Sequence, residues 1–248
     1  MSREISAVPS PLLQVGKLIK RFGGFYALSG VSFHLFPGEV LGLVGPNGSG
    51  KTTCINVVSG LIHPDGGEVV FDGQVLDGLP SYRRVHRGIN RTFQVPKPFA
   101  TLTVRENVEI AAAYGRRNSE PADIDAILAS LDLDTQQSRA AADLNSVQQK
   151  MLDLARALAT GPRLLLVDEL AAGLHPGELD LVARKLRELA KSGIALLVVE
   201  HLMDFIGEVT DRVIVLDAGR AIFEGTLDQA VRDRQVVEVF LGGTNHGG

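Results

Sequence analysis

The sequence predicts an α/β fold, a mostly parallel sheet covered on both faces, with an antiparallel stretch before it and a helical block inserted into it. Three observations predict this. Short apolar runs alternate with helix-length segments in the C-terminal half, the run VLGLVG leads through a glycine-rich turn into a helix, and a helix-rich block lies between the two. Leu12 to about Asp77 alternates short strands with turns, and Asp72-Gly73 in EVVFDGQVL is a hairpin signal. In the same stretch VLGLVG is a short buried strand, and the helix after it spans Lys51 to Ser59 and stops at Gly60. Val95 to about Leu144 reads as mostly helical: Arg105 to Tyr114 and Pro121 to Leu131 both space apolar residues near 3.6, with Pro121 suited to a first helical turn. From Val147 onward helix and strand alternate, as Gln148 to Thr160, Leu164 to Val167, Pro176 to Ser192 and Ile194 to Val199. VIVLDAGRAIFEG then forms a hairpin turning at Asp217-Ala218-Gly219. The tails, Met1 to Ser10 and Gly242 to Gly248, are polar or Gly-rich and are expected to be loose.

Composition excludes several function classes. The chain has 248 residues, 45% hydrophobic and 22% charged, which suits one large or two small globular domains. Its single cysteine, Cys54, rules out an internal disulfide and fits a reducing compartment. No apolar run approaches the roughly 20 residues of a membrane helix, and MSREISAVPS has no apolar run of the kind a secretory signal needs. A channel or permease is therefore not expected. Twenty-five Lys and Arg against 29 Asp and Glu give a net charge of −4, so no nucleic-acid partner is expected.

The chemistry begins at Gly45-Pro46-Asn47-Gly48-Ser49-Gly50-Lys51-Thr52, which fits G-x-x-x-x-G-K-[ST] between a strand and a helix. Glycines let backbone N–H groups turn inward around phosphates, and the helix N-terminus adds positive potential. Lys51 would reach the β- and γ-phosphates and the Thr52 hydroxyl would ligate Mg²⁺. Downstream, Leu164 to Val167 is an apolar strand ending in Asp168-Glu169. Carboxyl ends of parallel strands face the ligand crevice. There Asp168 can hold Mg²⁺ and Glu169 can act as general base on the attacking water. An isolated Asp-Glu would also read as a strand end followed by a helix-capping acid. His201 closes the next strand in Val198-Val199-Glu200-His201 and can reach the γ-phosphate and the water. Gln94, in Arg91-Thr92-Phe93-Gln94, could complete the Mg²⁺ shell through its amide oxygen, or be an ordinary polar loop residue.

Together these residues resemble the ATP-binding subunits of ABC transporters, over nearly the whole chain from Lys20-Arg21-Phe22-Gly23-Gly24 to Phe240-Leu241-Gly242. The resemblance covers the loop from Gly45 to Thr53, Gln94 as the Q-loop, Asp168-Glu169 as Walker B and catalytic Glu, and His201 as the switch histidine. By position Phe22 looks like the aromatic that stacks on adenine; its alternative is a core Phe. Within the family, the wording at Arg21 to Gly24, Asn90 to Gln94, Leu102 to Val108, Ala171 to Leu174 and Val199 to His201 is similar to the branched-chain amino acid importer subgroup. The resemblance implies a P-loop NTPase (RecA-like) core with an antiparallel β subdomain and an inserted α-helical subdomain. Residues 11–94 and 147–242 would form the core with its β subdomain, and 95–146 the helical subdomain, all within one ATPase domain.

The family's signature motif maps onto Leu144-Asn145-Ser146-Val147-Gln148, and here the chain departs from the pattern. In the resemblance this motif covers the γ-phosphate bound by the other subunit, through a Ser hydroxyl and backbone N–H groups. Asn145 is bulkier than that Ser, and Val147 puts a β-branched side chain where a glycine would let backbone approach a ligand. Leu170 replaces the usual Pro after the catalytic Glu, and His175 stands where Asp or Asn is usual. The chain's own Walker residues look intact while the surface offered to a partner looks impaired, which motivates a heterodimer with one competent site; a homodimer or two working sites is the alternative. The implied setting is a peripheral ATPase on the cytoplasmic face of the membrane, using ATP and Mg²⁺. Its expected partners are a second ATPase subunit, integral-membrane permeases and, indirectly, an extracytoplasmic solute-binding protein. An exporter or lipid-extraction ATPase, and a soluble non-transport ATPase, are the competing readings.

Overall fold

Strand pairing and apolar alternation together build the chain into two sheets with one core between them and a second between the larger sheet and the helices. The structure is a computed structural model that describes residues 10–92, 96–115 and 121–242. Among these residues β1 (Leu13–Phe22) and β2 (Phe25–Leu35) come first, then β3 (Val40–Val44), α1 (Lys51–Ser59), β4 (Gly66–Phe71), β5 (Gln74–Val75), α2 (Ser81–Val85) and β6 (Ile89–Arg91). Three helices follow, α3 (Val104–Gly115), α4 (Ile124–Ser130) and α5 (Ser146–Ala159). The remainder is β7 (Leu164–Asp168), α6 (Pro176–Lys191), β8 (Ala195–Val199), α7 (Met203–Val209), β9 (Arg212–Asp217), β10 (Arg220–Gly225), α8 (Leu227–Ala230) and α9 (Arg234–Gly242).

The larger sheet has the order β10-β9-β3-β8-β7-β6, parallel from β9 to β6 with β10 antiparallel at one edge. The smaller is antiparallel in the order β2-β1-β4-β5. The period of two divides each central strand between two cores. Val40, Leu165, Val167, Leu196, Val198, Val213 and Val215 face the helices α3 to α7. Leu41, Leu43, Leu164, Leu166, Leu197, Val199, Ile214 and Leu216 face α1 and the antiparallel sheet. Burying each such side chain is worth about 1.5–3 kcal/mol, so these strands cannot slip by one residue without exchanging their entire environment. Val104, Val108, Leu128 and Leu131 of the helical insertion join the first of these cores rather than forming one of their own.

The hairpins predicted at Asp72-Gly73 and at Ala218-Gly219 form as two-residue turns, both residues of each pair having positive φ. Two expectations in the helical block need correction. Pro121 is not in a first turn: α4 begins at Ile124, because the Asp123 side chain accepts a hydrogen bond from the Ala126 N–H and caps the helix there. Residues 131–143 are turns and two short 3₁₀ segments rather than helix. Elsewhere the helix and strand ends fall within one or two residues of the expected positions.

A buried arginine fixes the rear of α1. Arg84 is 1% exposed, and its guanidinium donates to the carbonyls of Val57 and Val58 at the helix C-terminus and to those of Leu76 and Leu79. The cation lies at the negative end of the helix dipole and satisfies carbonyls the helix leaves open. Among the described residues no helix is long and apolar enough to cross a membrane.

Candidate functional site

The loop between β3 and α1 is shaped by glycines that no other residue could replace without moving the backbone. Gly45 has φ 146°, and a Cβ there would sit 2.1 Å from the Leu216 carbonyl oxygen. Gly50 has φ 109°, and a Cβ there would sit 2.4 Å from the Ala27 carbonyl oxygen. Lys51 is 5% exposed and donates to the carbonyls of Gly45 (2.7 Å) and Pro46 (2.9 Å), so its ammonium already lies inside the loop. Burial pushes the Lys51 pKa below its ordinary value; Glu169 and then Asp168 oppose that shift through charge attraction. The Ser49 hydroxyl is buried without a hydrogen-bond partner, a polar atom unsatisfied within the loop.

The carboxylates and the histidine arrive from neighbouring strands. Asp168 ends β7, and Glu169 directly after it has φ 49° and donates its N–H to Val199 at the end of β8. Two residues beyond that, His201 brings Nε2 to 2.7 Å from Glu169 Oε1. A single open pocket of roughly 270 Å³ is lined by Phe22, Asn47, Gly48, Gly50, Lys51, Thr52, Thr53, Glu169 and His201, with Phe25 and Ala27. Gly45, Pro46 and Ser49 do not line this pocket, and neither does Asp168, which is 5% exposed. Gln94 lies outside the described residues. Leu144 to Gln148 do not line the pocket.

The donor set suits a phosphate with a hard divalent cation. Gly48 has open space where a Cβ would stand, the Thr52 side chain is exposed, and the orphan Ser49 hydroxyl awaits a partner. Thr52 and Asp168 offer oxygen, which suits Mg²⁺ held by one or two side chains and substrate phosphates. Among the described residues no three His, Cys, Asp or Glu side chains converge as an all-protein metal cage would require.

Several groups around this pocket escaped the sequence reading. Phe22 and Phe25 pair across the β1–β2 turn and are 52% and 60% exposed, so two aromatic rings, not one, stand at the pocket wall. Arg91 Nη2 donates to Asp168 Oδ2 at 2.6 Å and Nη1 to Asn56 Oδ1 at 2.5 Å, tying β6 to β7 and α1. Nothing local marks either residue: Phe25 reads as one more strand residue, and Arg91 reaches Asp168 only once β6 and β7 have paired.

At the signature segment, α5 begins with Asn145 as its cap. The Asn145 carboxamide oxygen accepts from the Gln148 N–H (2.9 Å), and Gln148 Oε1 accepts from the Asn145 N–H (3.1 Å). One of the N–H groups at this helix end is thus already occupied from within the chain.

Cys54 lies on the core side of α1, fully buried, and burial pushes its thiol up to about 12. At pH 8 the native chain should therefore resist a thiolate-directed reagent such as DTNB and react only after denaturation. Rapid labelling of the native protein would show that α1 opens far more readily than this packing allows.

The ABC transporter family profile matches residues 28–172. The chain is 32% identical to the high-affinity branched-chain amino acid transport ATP-binding protein BraF of Pseudomonas aeruginosa, over 94% of this chain and 98% of that protein. It is 34% identical to the corresponding Escherichia coli protein LivG, over 94% and 98%. It is 37% identical to a probable LivG of Archaeoglobus fulgidus, over 93% and 95%. Among solved structures, the ADP conformation of an ATP-binding cassette of an ABC transporter superposes with a TM-score of 0.86 at 33% identity, covering 94% of this chain and 99% of that one. A dimeric post-hydrolysis cassette bound to ADP and phosphate gives a TM-score of 0.76 at 26% identity, covering 87% and 98%.

Proposed function

From the premise that the chain belongs to the ABC transporter family, as a P-loop ATPase cassette, we propose that it hydrolyses ATP to energise uptake of branched-chain amino acids or a related small solute. The observation that carries this reading is the meeting of Lys51, Glu169 and His201 in one pocket at the carboxyl ends of β3, β7 and β8. Lys51 and the loop N–H groups from Gly45 to Thr53 take the phosphates, and Phe22 with Phe25 supplies an aromatic wall for the adenine. Thr52, Asp168 and Gln94 would hold Mg²⁺, which when bound offsets phosphate charge. Glu169 takes the proton of the attacking water, and His201, already hydrogen-bonded to it, fixes the direction of that carboxylate.

The solute relation comes from the relatives' transport function, and the departures at Asn145 and Val147 add an asymmetry to it. A phosphate bound by a partner subunit would meet the β-branched Val147 side chain where the family places glycine. The reading is therefore a heterodimer in which this chain's Lys51 and Glu169 serve the working site. Permease subunits dock on the helical side. A groove lined by Tyr82, Asn90, Phe99, Tyr114 and Arg156, between α2, α3 and α5, is suited to that contact. Purification of the tagged chain from detergent-solubilised host membranes should recover hydrophobic permease subunits and a second ATPase chain. A chain recovered alone, as a homodimer with full ATPase activity, would overturn the transport reading.

A further inference from the structure

On each of the three residues directly after Glu169, one backbone polar group is held by a buried charge from another element. Lys150 of α5, 5% exposed, donates from Nζ to the carbonyls of Leu170 (2.6 Å) and Ala172 (2.8 Å). Glu200, 2% exposed and adjacent to His201, accepts the Ala171 N–H at Oε1 (2.6 Å). Leu170 and Ala171 are themselves buried, so their carbonyl and N–H have no water to turn to, while Ala172 lies at the exposed end of the segment. Glu169 sits at φ 49°, a left-handed conformation that a non-glycine residue keeps only where its surroundings over-determine it.

Two buried ions are an expensive way to hold a loop. Burial works against the charged form of both, lowering the Lys150 pKa and raising that of Glu200, and each is partly supported by the other's charge. A lysine ammonium can satisfy two carbonyls at once, and with Glu200 it grips the segment from both sides. The two anchors also come from informative places. Lys150 is in the second turn of the helix that starts in the signature segment, and Glu200 immediately precedes the histidine that touches Glu169.

We propose that Lys150 and Glu200 are positioning residues that clamp the Leu170–Ala172 backbone and so hold Glu169 in its strained, water-directed conformation. A shift of α5, when a partner subunit engages its N-terminus, would thereby move the general base. This inference rests on the hydrolytic role given to Glu169 above.

The test compares Lys150→Met, Lys150→Arg and Glu169→Gln in the assembled transporter, measuring kcat and KM for ATP and the affinity for a fluorescent ATP analogue. Lys150→Met should lower kcat at least about tenfold while KM and analogue affinity stay within about twofold, since Lys51 and the phosphate loop are untouched. Lys150→Arg should recover most of the lost kcat. If Lys150→Met does not fold, the double change Lys150→Met with Glu200→Gln removes both buried charges together and should show the same split. A kcat within twofold of wild type, or a loss of affinity equal to the loss of kcat, overturns the clamp. Turnover surviving Glu169→Gln would instead overturn the hydrolytic reading beneath it, so the two failures are distinguishable.

Discussion

Replacing Glu169 with Gln in this chain alone is expected to remove nearly all ATP turnover of the assembled transporter, while the matching change in its partner ATPase should leave most of it. A positioned general base is worth about 10²–10⁴-fold in rate, so a working site that loses Glu169 becomes negligible. The asymmetry follows from which chain completes each site. In the proposed heterodimer the site holding this chain's Lys51 and Glu169 would be closed by the partner's signature segment, and the partner's nucleotide by Asn145 to Gln148 of this chain. In that arrangement the second closure would be obstructed by the Val147 side chain, β-branched where the family places glycine. The reciprocal change separates this from mere cooperativity, in which silencing either site would stop both. Equal losses from the two single changes, or an assembly containing two copies of this chain, would overturn the one-site reading. Asn145→Ser with Val147→Gly should then raise turnover in the partner's site if the obstruction is the cause.

What could be read in advance was whatever lies contiguous in the chain. The phosphate loop, the Asp168-Glu169 pair and the two hairpins are local patterns, each made by neighbouring residues obeying one steric or electrostatic rule. His201 was legible because its position at a strand end put it on the crevice side of a parallel sheet. The residues that hold these groups were not legible. Lys150 reaches Leu170, Arg91 reaches Asp168 and Arg84 reaches Val57 only after the strands have paired, so nothing in the local sequence distinguishes them from ordinary surface charges. Pro121 misled for a related reason: proline suits a first turn, but the Asp123 side chain competes successfully to set the start of α4. The same division explains Phe25, which looks like one more strand residue until the β1–β2 turn places it opposite Phe22.

Gly45→Ala is expected to cost about 4 kcal/mol of folding stability, at the upper end for single substitutions, and to abolish nucleotide binding with it. The added Cβ would lie 2.1 Å from the Leu216 carbonyl oxygen and 2.8 Å from Ser49 Oγ, and φ 146° is itself strained for an L side chain. The serine could turn away, but the carbonyl belongs to β9, whose strand pairs with β3 on one side and β10 on the other. Either β9 shifts within the sheet or the loop swings outward and carries Lys51 from its two carbonyl partners. At about 2–4 °C per kcal/mol for a chain of this length, Tm should fall by about 8–16 °C. Gly48→Ala is the control within the same loop. Its φ is 78°, yet nothing lies within 4 Å of the new Cβ, so only the left-handed backbone term of about 1 kcal/mol remains. Thermal unfolding of the two variants without nucleotide therefore measures the steric contact separately from backbone strain. Equal Tm losses would show that the loop relaxes freely away from β9, and would remove the rigid cradle on which the placement of Lys51 depends.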